Sequence, residues 1–356
     1  MFAVSEGLTR VIWYAHEENT CVVTGTGDGY DIRPNCVART KSAESSWVTY
    51  RFNECGYRSN TSCGPVPANT LRIAIVGASV SQGFNVPYGE TYFARTAESL
   101  ERLCGRPVDV QNLGKPRSSP IYAYRRVQEV LALKPDVVLF ALAPFDLEQQ
   151  IDPRELAARD DPAHIVTVNA THEPLSLMRR IQLLLTDSRT ALVAEHFLLQ
   201  NRSTFLRLYL NYGDKADFLR QPLTPAWRRR FADLDVIIGG MAAKFRAAGV
   251  PFVVIPVPSR AEAALLNSAT LPAGIDPFYF GRRLEQIAAA HGAGYVDLME
   301  PFSKTPHAED LFLIVDGHVA PSGQEVIANS LTRELVSGAI PAFARCGSKD
   351  QMQVGR

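Results

Sequence analysis

Leu71-Arg-Ile-Ala-Ile-Val-Gly77-Ala-Ser79-Val-Ser-Gln-Gly83 is the stretch on which the reading of this chain turns. A short apolar run ending in glycine is the pattern of a strand buried on both faces. Ser79 follows at once, with Gly77 before it and Gly83 after it. Small residues permit a tight turn there, which would lift the serine side chain to the edge of a sheet. The plainer reading is that Ser79 caps a following helix, and the local sequence leaves both open.

Outward from this stretch the chain alternates between strand and helix patterns. Strands are expected at 71–76, 108–113, 136–142, 251–256 and 294–298, and helices at 90–103, 120–133, 224–248, 278–290 and 322–337. Ser322 and Glu325 have the spacing of a capping box for the last helix. Strands separated by helices imply an α/β fold, a parallel sheet with helices on both faces. In such sheets chemistry gathers at the carboxyl ends of the strands. Ser79, Gly114, Asp146 and the loop after Val257 fall at that edge. Two segments interrupt the plan. Residues 1–66 form a polar, cysteine-containing preface, and about 150–223 a mostly helical insertion, with helices at 175–185 and 191–199. The remaining divisions are a main domain over 67–340 and a tail over 341–356.

Near the far end lies Val315-Asp316-Gly317-His318-Val-Ala-Pro-Ser-Gly323. A serine hydroxyl needs an imidazole to take its proton, and the imidazole needs a carboxylate to fix its tautomer. Asp316 and His318, two residues apart, can point the same way in an extended segment, and Gly317 permits a bend. Ser79 as nucleophile, His318 as base and Asp316 as orienter are the parts of a serine hydrolase. Asp161-Pro-Ala-His164 spaces an acid and an imidazole too, but in the insertion, away from any expected strand end. His16, His172, His196, His291 and His307 read as surface or packing residues.

The bulk properties narrow the function. Of 356 residues 46% are hydrophobic and 21% charged, a globular composition. Lys plus Arg and Asp plus Glu both number 37, which gives no support for a nucleic acid or an anionic membrane as main partner. Arg228, Arg229 and Arg230 read as a solvated helix face. No apolar run approaches the ~18–20 residues that span a bilayer, and the start Met1-Phe-Ala-Val-Ser-Glu has no signal-peptide pattern. No metal-binding cluster and no glycine-rich nucleotide loop is present in the sequence. Gly25-Thr-Gly-Asp-Gly29 lacks a strand–helix context and reads as a turn. No cofactor is expected. Four of six cysteines lie in the preface. Disulfides Cys21–Cys36 and Cys55–Cys63 would staple a segment poor in apolar residues. Free thiols and a zinc site are the competing readings, although the spacings are wider than zinc favours.

The motifs together resemble the SGNH, or GDSL-type, hydrolases. Residues 73–100, opening Ile-Ala-Ile-Val-Gly-Ala-Ser79, are similar to the family's first block. Asn112-Leu-Gly114 resembles the second, whose glycine gives an amide to the oxyanion hole, and Asp316-Gly-His318 resembles the last. In order and spacing the resemblance covers roughly 68–338. It implies a three-layer flavodoxin-like fold and ester or acyl chemistry, with the amides of Ser79 and Gly114 facing the oxyanion. Two departures stand out. Gly-Asp-Ser is here Gly77-Ala78-Ser79, and the third block, Gly-x-Asn-Asp, reads Ala143-Pro144-Phe145-Asp146. Phe145 replaces an amide donor whose loss typically costs about 10²–10³ in rate. Arg117, Ser118 and Ser119 are the candidate substitutes by position, and Phe145, Asp146 and Arg117 are candidates for the substrate site. The preface, with Gly29-Tyr-Asp-Ile-Arg-Pro-Asn35 and Phe52-Asn-Glu-Cys-Gly-Tyr-Arg58, is similar to that of extracytoplasmic bacterial SGNH proteins. This implies a periplasmic or secreted location, with a cytoplasmic one still open, and membrane association only through an anchor ahead of this sequence. The expected function is a serine esterase acting on a small ester or an O-acylated carbohydrate through an acyl-enzyme. An O-acyltransferase to a carbohydrate and a non-catalytic carbohydrate-binding protein of the same fold are the alternatives.

Overall fold

The computed structural model describes residues 2–24, 30–148, 150–161, 188–268, 270–344 and 346. The expected helix at 175–185, His164 and His172 lie outside them, as does the turn at 25–29.

Two antiparallel hairpins come first: β1 (Val22–Thr24) with β2 (Tyr30–Ile32), and β3 (Val37–Thr40) with β4 (Val48–Arg51). The central sheet follows, made of β5 (Leu71–Gly77), β6 (Val108–Asn112), β7 (Val137–Leu142), β8 (Phe252–Pro256) and β9 (Gly294–Tyr295). Its order is β6-β5-β7-β8-β9 and every pair is parallel. This is the flavodoxin-like order, with its switch point where β6 and β7 flank β5. The fold is α/β, a parallel sheet between two helical layers, as the alternating patterns predicted.

The continuous apolar runs follow from this layering, because strand side chains alternate between faces. Ala74, Val76, Val138, Phe140 and Val254 join one buried cluster. It is closed by helices Pro225–Ala247 and Tyr279–His291. Ile73, Ile75, Leu139, Ala141 and Ile255 join the other. Helices Tyr92–Cys104 and Pro321–Leu335 close that one. Both faces being dry, neither can be polar. Gln111 and Asn112 of β6 are buried polar exceptions, and so is Arg72. It stands opposite Asp109 in the β5–β6 register and pairs with it at 2.6 Å, both side chains buried. Its guanidinium also donates to Gly64 O (2.9 Å) and Leu133 O (3.0 Å). Burying this charge is tolerable only with its hydrogen bonds made, and they are supplied by the end of the preface as well as by the sheet.

Four expectations are corrected. The helix at 120–133 is two, Pro120–Arg125 and Val127–Ala132, because Arg126 takes a non-helical backbone (ψ 2°). Its guanidinium reaches Leu113 O and the Glu129 carboxylate. The capping box is absent: Pro321 opens the last helix with Ala320 as N-cap, and Glu325 instead pairs with Arg95 at 2.7 Å. Pro321 fits the first helical position, which places Ser322 inside the helix. The last strand is Gly294–Tyr295 alone, and an unexpected helix, Phe2–Ile12, opens the chain.

All six cysteines are paired, as Cys21–Cys36, Cys55–Cys63 and Cys104–Cys346. The third bond, across 242 residues, was not anticipated. It ties the end of helix Tyr92–Cys104 to the segment beyond the last helix. Replacing Cys104 and Cys346 together by serine should cost about 2–5 kcal/mol, because the unfolded chain regains the freedom the crosslink removed. Urea unfolding without reductant measures this, and an unchanged midpoint would show that the bond stabilises nothing.

Candidate active site

The serine turn is built by close packing at its first glycine. Gly77 has φ +132°, and a Cβ there would stand 2.1 Å from Ser81 Oγ and 2.7 Å from Ala141 O. Only glycine fits. Ser81 Oγ fills that space, 2.6 Å from Ala141 O and 2.8 Å from Val76 O. Ser79 opens the four-residue helix Ser79–Gln82, which Gly83 ends in the left-handed conformation. Ala78 is the N-cap and makes no side-chain cap bond, so Ser79 is not the capping residue. Its hydroxyl is directed elsewhere.

The partner loop is closed by the bridge Phe312–Val319 and by Leu313 N donating to His318 O (2.8 Å). Gly317 takes φ +79°, which favours glycine. This bend puts both side chains on one side. Asp316 Oδ1 accepts from the His318 amide (3.1 Å) and lies 2.6 Å from His318 Nδ1. His318 Nε2 lies 2.8 Å from Ser79 Oγ. With Asp316 ionised, Nδ1 carries the proton and Nε2 accepts from the serine hydroxyl.

The electrostatics agree with this assignment. Burial pulls the His318 pKa down, but the Asp316 charge and hydrogen bond, with the Asp146 charge further off, raise it above its ordinary value. Burial pushes Asp316 up, and His318 more than reverses this, holding the carboxyl below its usual range. Two aromatic rings enclose the imidazole: Phe84 at 5.0 Å and Phe145 edge-on at 5.2 Å between ring centroids. Phe84 escaped the sequence reading. Its only signal was its place just beyond Gly83, where the helix ends and the chain turns back.

The other expected site residues are placed less favourably. The Gly114 amide, expected to face an oxyanion, donates to Asn112 Oδ1 at 2.8 Å, while Asn112 Nδ2 holds Ser81 O at 2.8 Å. In this structure that amide is occupied by Asn112. Ser118 is buried with its hydroxyl on Lys115 O (2.7 Å). Arg117 is exposed, in the left-handed region at φ +61°. Asp146 is buried and accepts from the Ala143 amide at 2.8 Å, closing the turn that follows β7. Burial pushes its carboxyl up to about 7. It supports the turn carrying Phe145. Of the remaining described histidines, His291 meets Asp235 (2.7 Å), His307 meets Arg202 (3.0 Å) and His16 pairs with Lys41 through its backbone.

The preface takes part in this site. Arg58, fully buried, donates to Gln82 O (2.8 Å), Gly83 O (2.7 Å) and Val86 O (2.6 Å), and stacks on Tyr50 at 4.5 Å. Tyr50 OH accepts from the Asn85 amide at 2.9 Å. A loop with carbonyls turned inward needs donors there, and the preface supplies them.

No family model matches the chain, and no curated protein matches it either. Solved structures do. An acetylxylan esterase from Geobacillus stearothermophilus is 15% identical, with 74% of this chain and 94% of that chain covered and a TM-score of 0.40. TesA is 16% identical, with 74% and 97% covered and a TM-score of 0.39. A lipase/acylhydrolase from Enterococcus faecalis is 13% identical, with 74% and 95% covered and a TM-score of 0.39.

Replacing Arg58 by Met would keep the bulk, strand the carbonyls of residues 82 and 86 and leave that of residue 83 with only the Val86 amide at 3.3 Å. A loss on the order of 3 kcal/mol is expected from urea unfolding, because buried acceptors are left without donors. A change within about 0.5 kcal/mol, the usual range for a surface site, would show that the anchor is dispensable.

Proposed function

We propose that the chain is a serine ester hydrolase that works through an acyl-enzyme on Ser79. The observation that carries this reading is the unbroken line from Ser79 Oγ to His318 (2.8 Å) to Asp316 (2.6 Å). Ser79 Oγ attacks the ester carbonyl carbon while its proton passes to His318 Nε2. The tetrahedral intermediate collapses, and the leaving alkoxide takes that proton as it departs. A water then gives a proton to His318 and attacks the acyl carbon; the second tetrahedral intermediate collapses to release the acid, and His318 returns its proton to the departing Ser79 Oγ. Asp316 stays ionised throughout and stabilises the imidazolium.

The oxyanion hole limits the rate. The amides at the start of helix Ser79–Gln82 have no carbonyl four residues back, so the Ser79 amide is one donor. Phe145 offers none, and the Gly114 amide can serve only by leaving Asn112. One missing donor lowers turnover by about 10²–10³. The substrate class that fits is a small ester or an O-acylated carbohydrate, whose apolar acyl part or sugar face would lie along Phe84 and Phe145. The three disulfides favour an oxidising compartment such as the periplasm or the exterior. The occupied Gly114 amide also favours a second reading, a carbohydrate-binding protein without turnover.

Purified protein should hydrolyse a short-chain aryl ester, and Ser79→Ala should lower the rate by at least about 10³-fold. The working base is neutral imidazole. Since the His318 pKa is raised, activity should fall as pH drops through a midpoint above about 6.5. Asp316→Asn should lower the rate by about 10²–10⁴-fold and move that limb to lower pH. Neither turnover nor labelling of Ser79 by a fluorophosphonate would favour the binding protein. Hydrolysis unaffected by Ser79→Ala would place the chemistry elsewhere.

A further inference from the structure

We propose that Glu44, in the turn between β3 and β4, is a positioning residue for the Asp316–His318 loop, and that His196 fixes it there. The inference rests on the roles proposed above for Asp316 and His318. Glu44 Oε2 accepts from the Asp316 amide at 2.9 Å and from the Val315 amide at 3.0 Å. Glu44 Oε1 lies 3.1 Å from the Val315 amide and 2.7 Å from His196 Nδ1. The carboxylate side chain is only 5% exposed, so these three donors stand in for the water it has lost.

The location of these bonds gives them their effect. One of them falls on the amide of Asp316 itself. It fixes the direction in which the Asp316 side chain leaves the backbone, and so the alignment of its carboxylate with His318 Nδ1. The next residue, Gly317, constrains the backbone little, so an external hold is needed. A second hold lies beside the first. Arg260 Nη1 donates to Ile314 O (2.7 Å) and Arg260 Nη2 to Leu199 O (2.8 Å). His196 and Leu199 both belong to helix Arg189–Leu199 of the insertion. Residues 314–316 are thus gripped from two sides, and both grips end on one helix. That helix is in turn capped by Glu6 of the opening helix, through Ser188 Oγ (2.8 Å), Arg189 N (2.9 Å) and Thr190 N (3.0 Å). The other charged groups acting on Glu44 or sharing its field are Glu195, whose carboxyl is pushed up by burial and by Glu44, and Arg260.

The test uses Glu44→Gln, which keeps the length but turns an amide donor toward backbone donors. The kcat for the aryl ester should fall about 10–100-fold, as expected for misplacement by a fraction of an ångström to one ångström, with KM within about twofold because substrate contacts are untouched. The acid limb should move to lower pH, because a misaligned Asp316 supports the His318 proton less. An NMR titration of the His318 imidazole should show the same shift without any turnover. Glu44→Asp, one methylene too short to reach both amides, should repeat the shift if Gln disturbs folding. His196→Asn keeps a donor near the Nδ1 position and should stay close to wild type, whereas His196→Leu should move part of the way toward Glu44→Gln. A Glu44 variant whose His318 titration and acid limb match wild type, with activity lost only in proportion to folded protein, would overturn the proposal. Equal behaviour of His196→Asn and His196→Leu would remove His196 from it. If wild type hydrolyses nothing, the esterase reading fails, and the His318 titration still decides the role of Glu44.

Discussion

A hydroxyl and an imidazole carried by loops 239 residues apart are held at 2.8 Å in this protein. A hydrogen bond tolerates little error in that distance, so every layer of the structure has to agree on where the two segments stand. The parallel sheet meets most of the demand. It puts the serine turn at the carboxyl end of β5, which lies between β6 and β7. The last helix packs beside Tyr92–Cys104 on the same face, which brings the Asp316–His318 loop back to that end. Buried strands set the height of the serine, and the final helix sets the height of the imidazole.

The sheet alone does not shape the loops. The Ser79 turn owes its form to Gly77, where no Cβ fits, and to Arg58, whose guanidinium fills the turn from the preface side. The Asp316–His318 loop is held by Glu44, which accepts from its amides, and by Arg260, which donates to the Ile314 carbonyl. Both grips from the preface come from the region of β3, β4 and the residues just after it. A segment that is stapled by disulfides and has a core of its own therefore reaches each half of the site with one buried charged side chain. The physical logic is common to both. Loops expose backbone donors and acceptors, and a rigid neighbour that satisfies them converts a flexible turn into a fixed one.

Much of this was legible in the chain. The α/β alternation could be read because strands buried on both faces must be continuously apolar. Ser79, Asp316 and His318 could be named as candidates because their order and context, a glycine-flanked turn after a buried strand and a D-G-H before the last helix, resemble the blocks of a known family, although neither motif is decisive alone. The local disulfides could be paired because their partners are close in sequence. What could not be read is what depends on distant residues. Cys104 and Cys346 are separated by nearly the whole main domain. The commitment of the Gly114 amide to Asn112 is a matter of side-chain rotamer. Glu44 lies in a polar turn without any local signature, and its meaning appears only where Val315 and Asp316 face it.

The sequence by itself determined the order of strands and helices and singled out Ser79, Asp316 and His318 as candidates, since these follow from periodicity and side-chain chemistry. Tertiary structure alone decided which amides are spent internally, which rings enclose His318, and which buried charges hold each loop. Apart from the Gly114–Asn112 bond, which turns on a rotamer, those outcomes depend on partners tens to hundreds of residues away. A backbone group is satisfied by whatever the fold brings near it, and no local pattern records that choice.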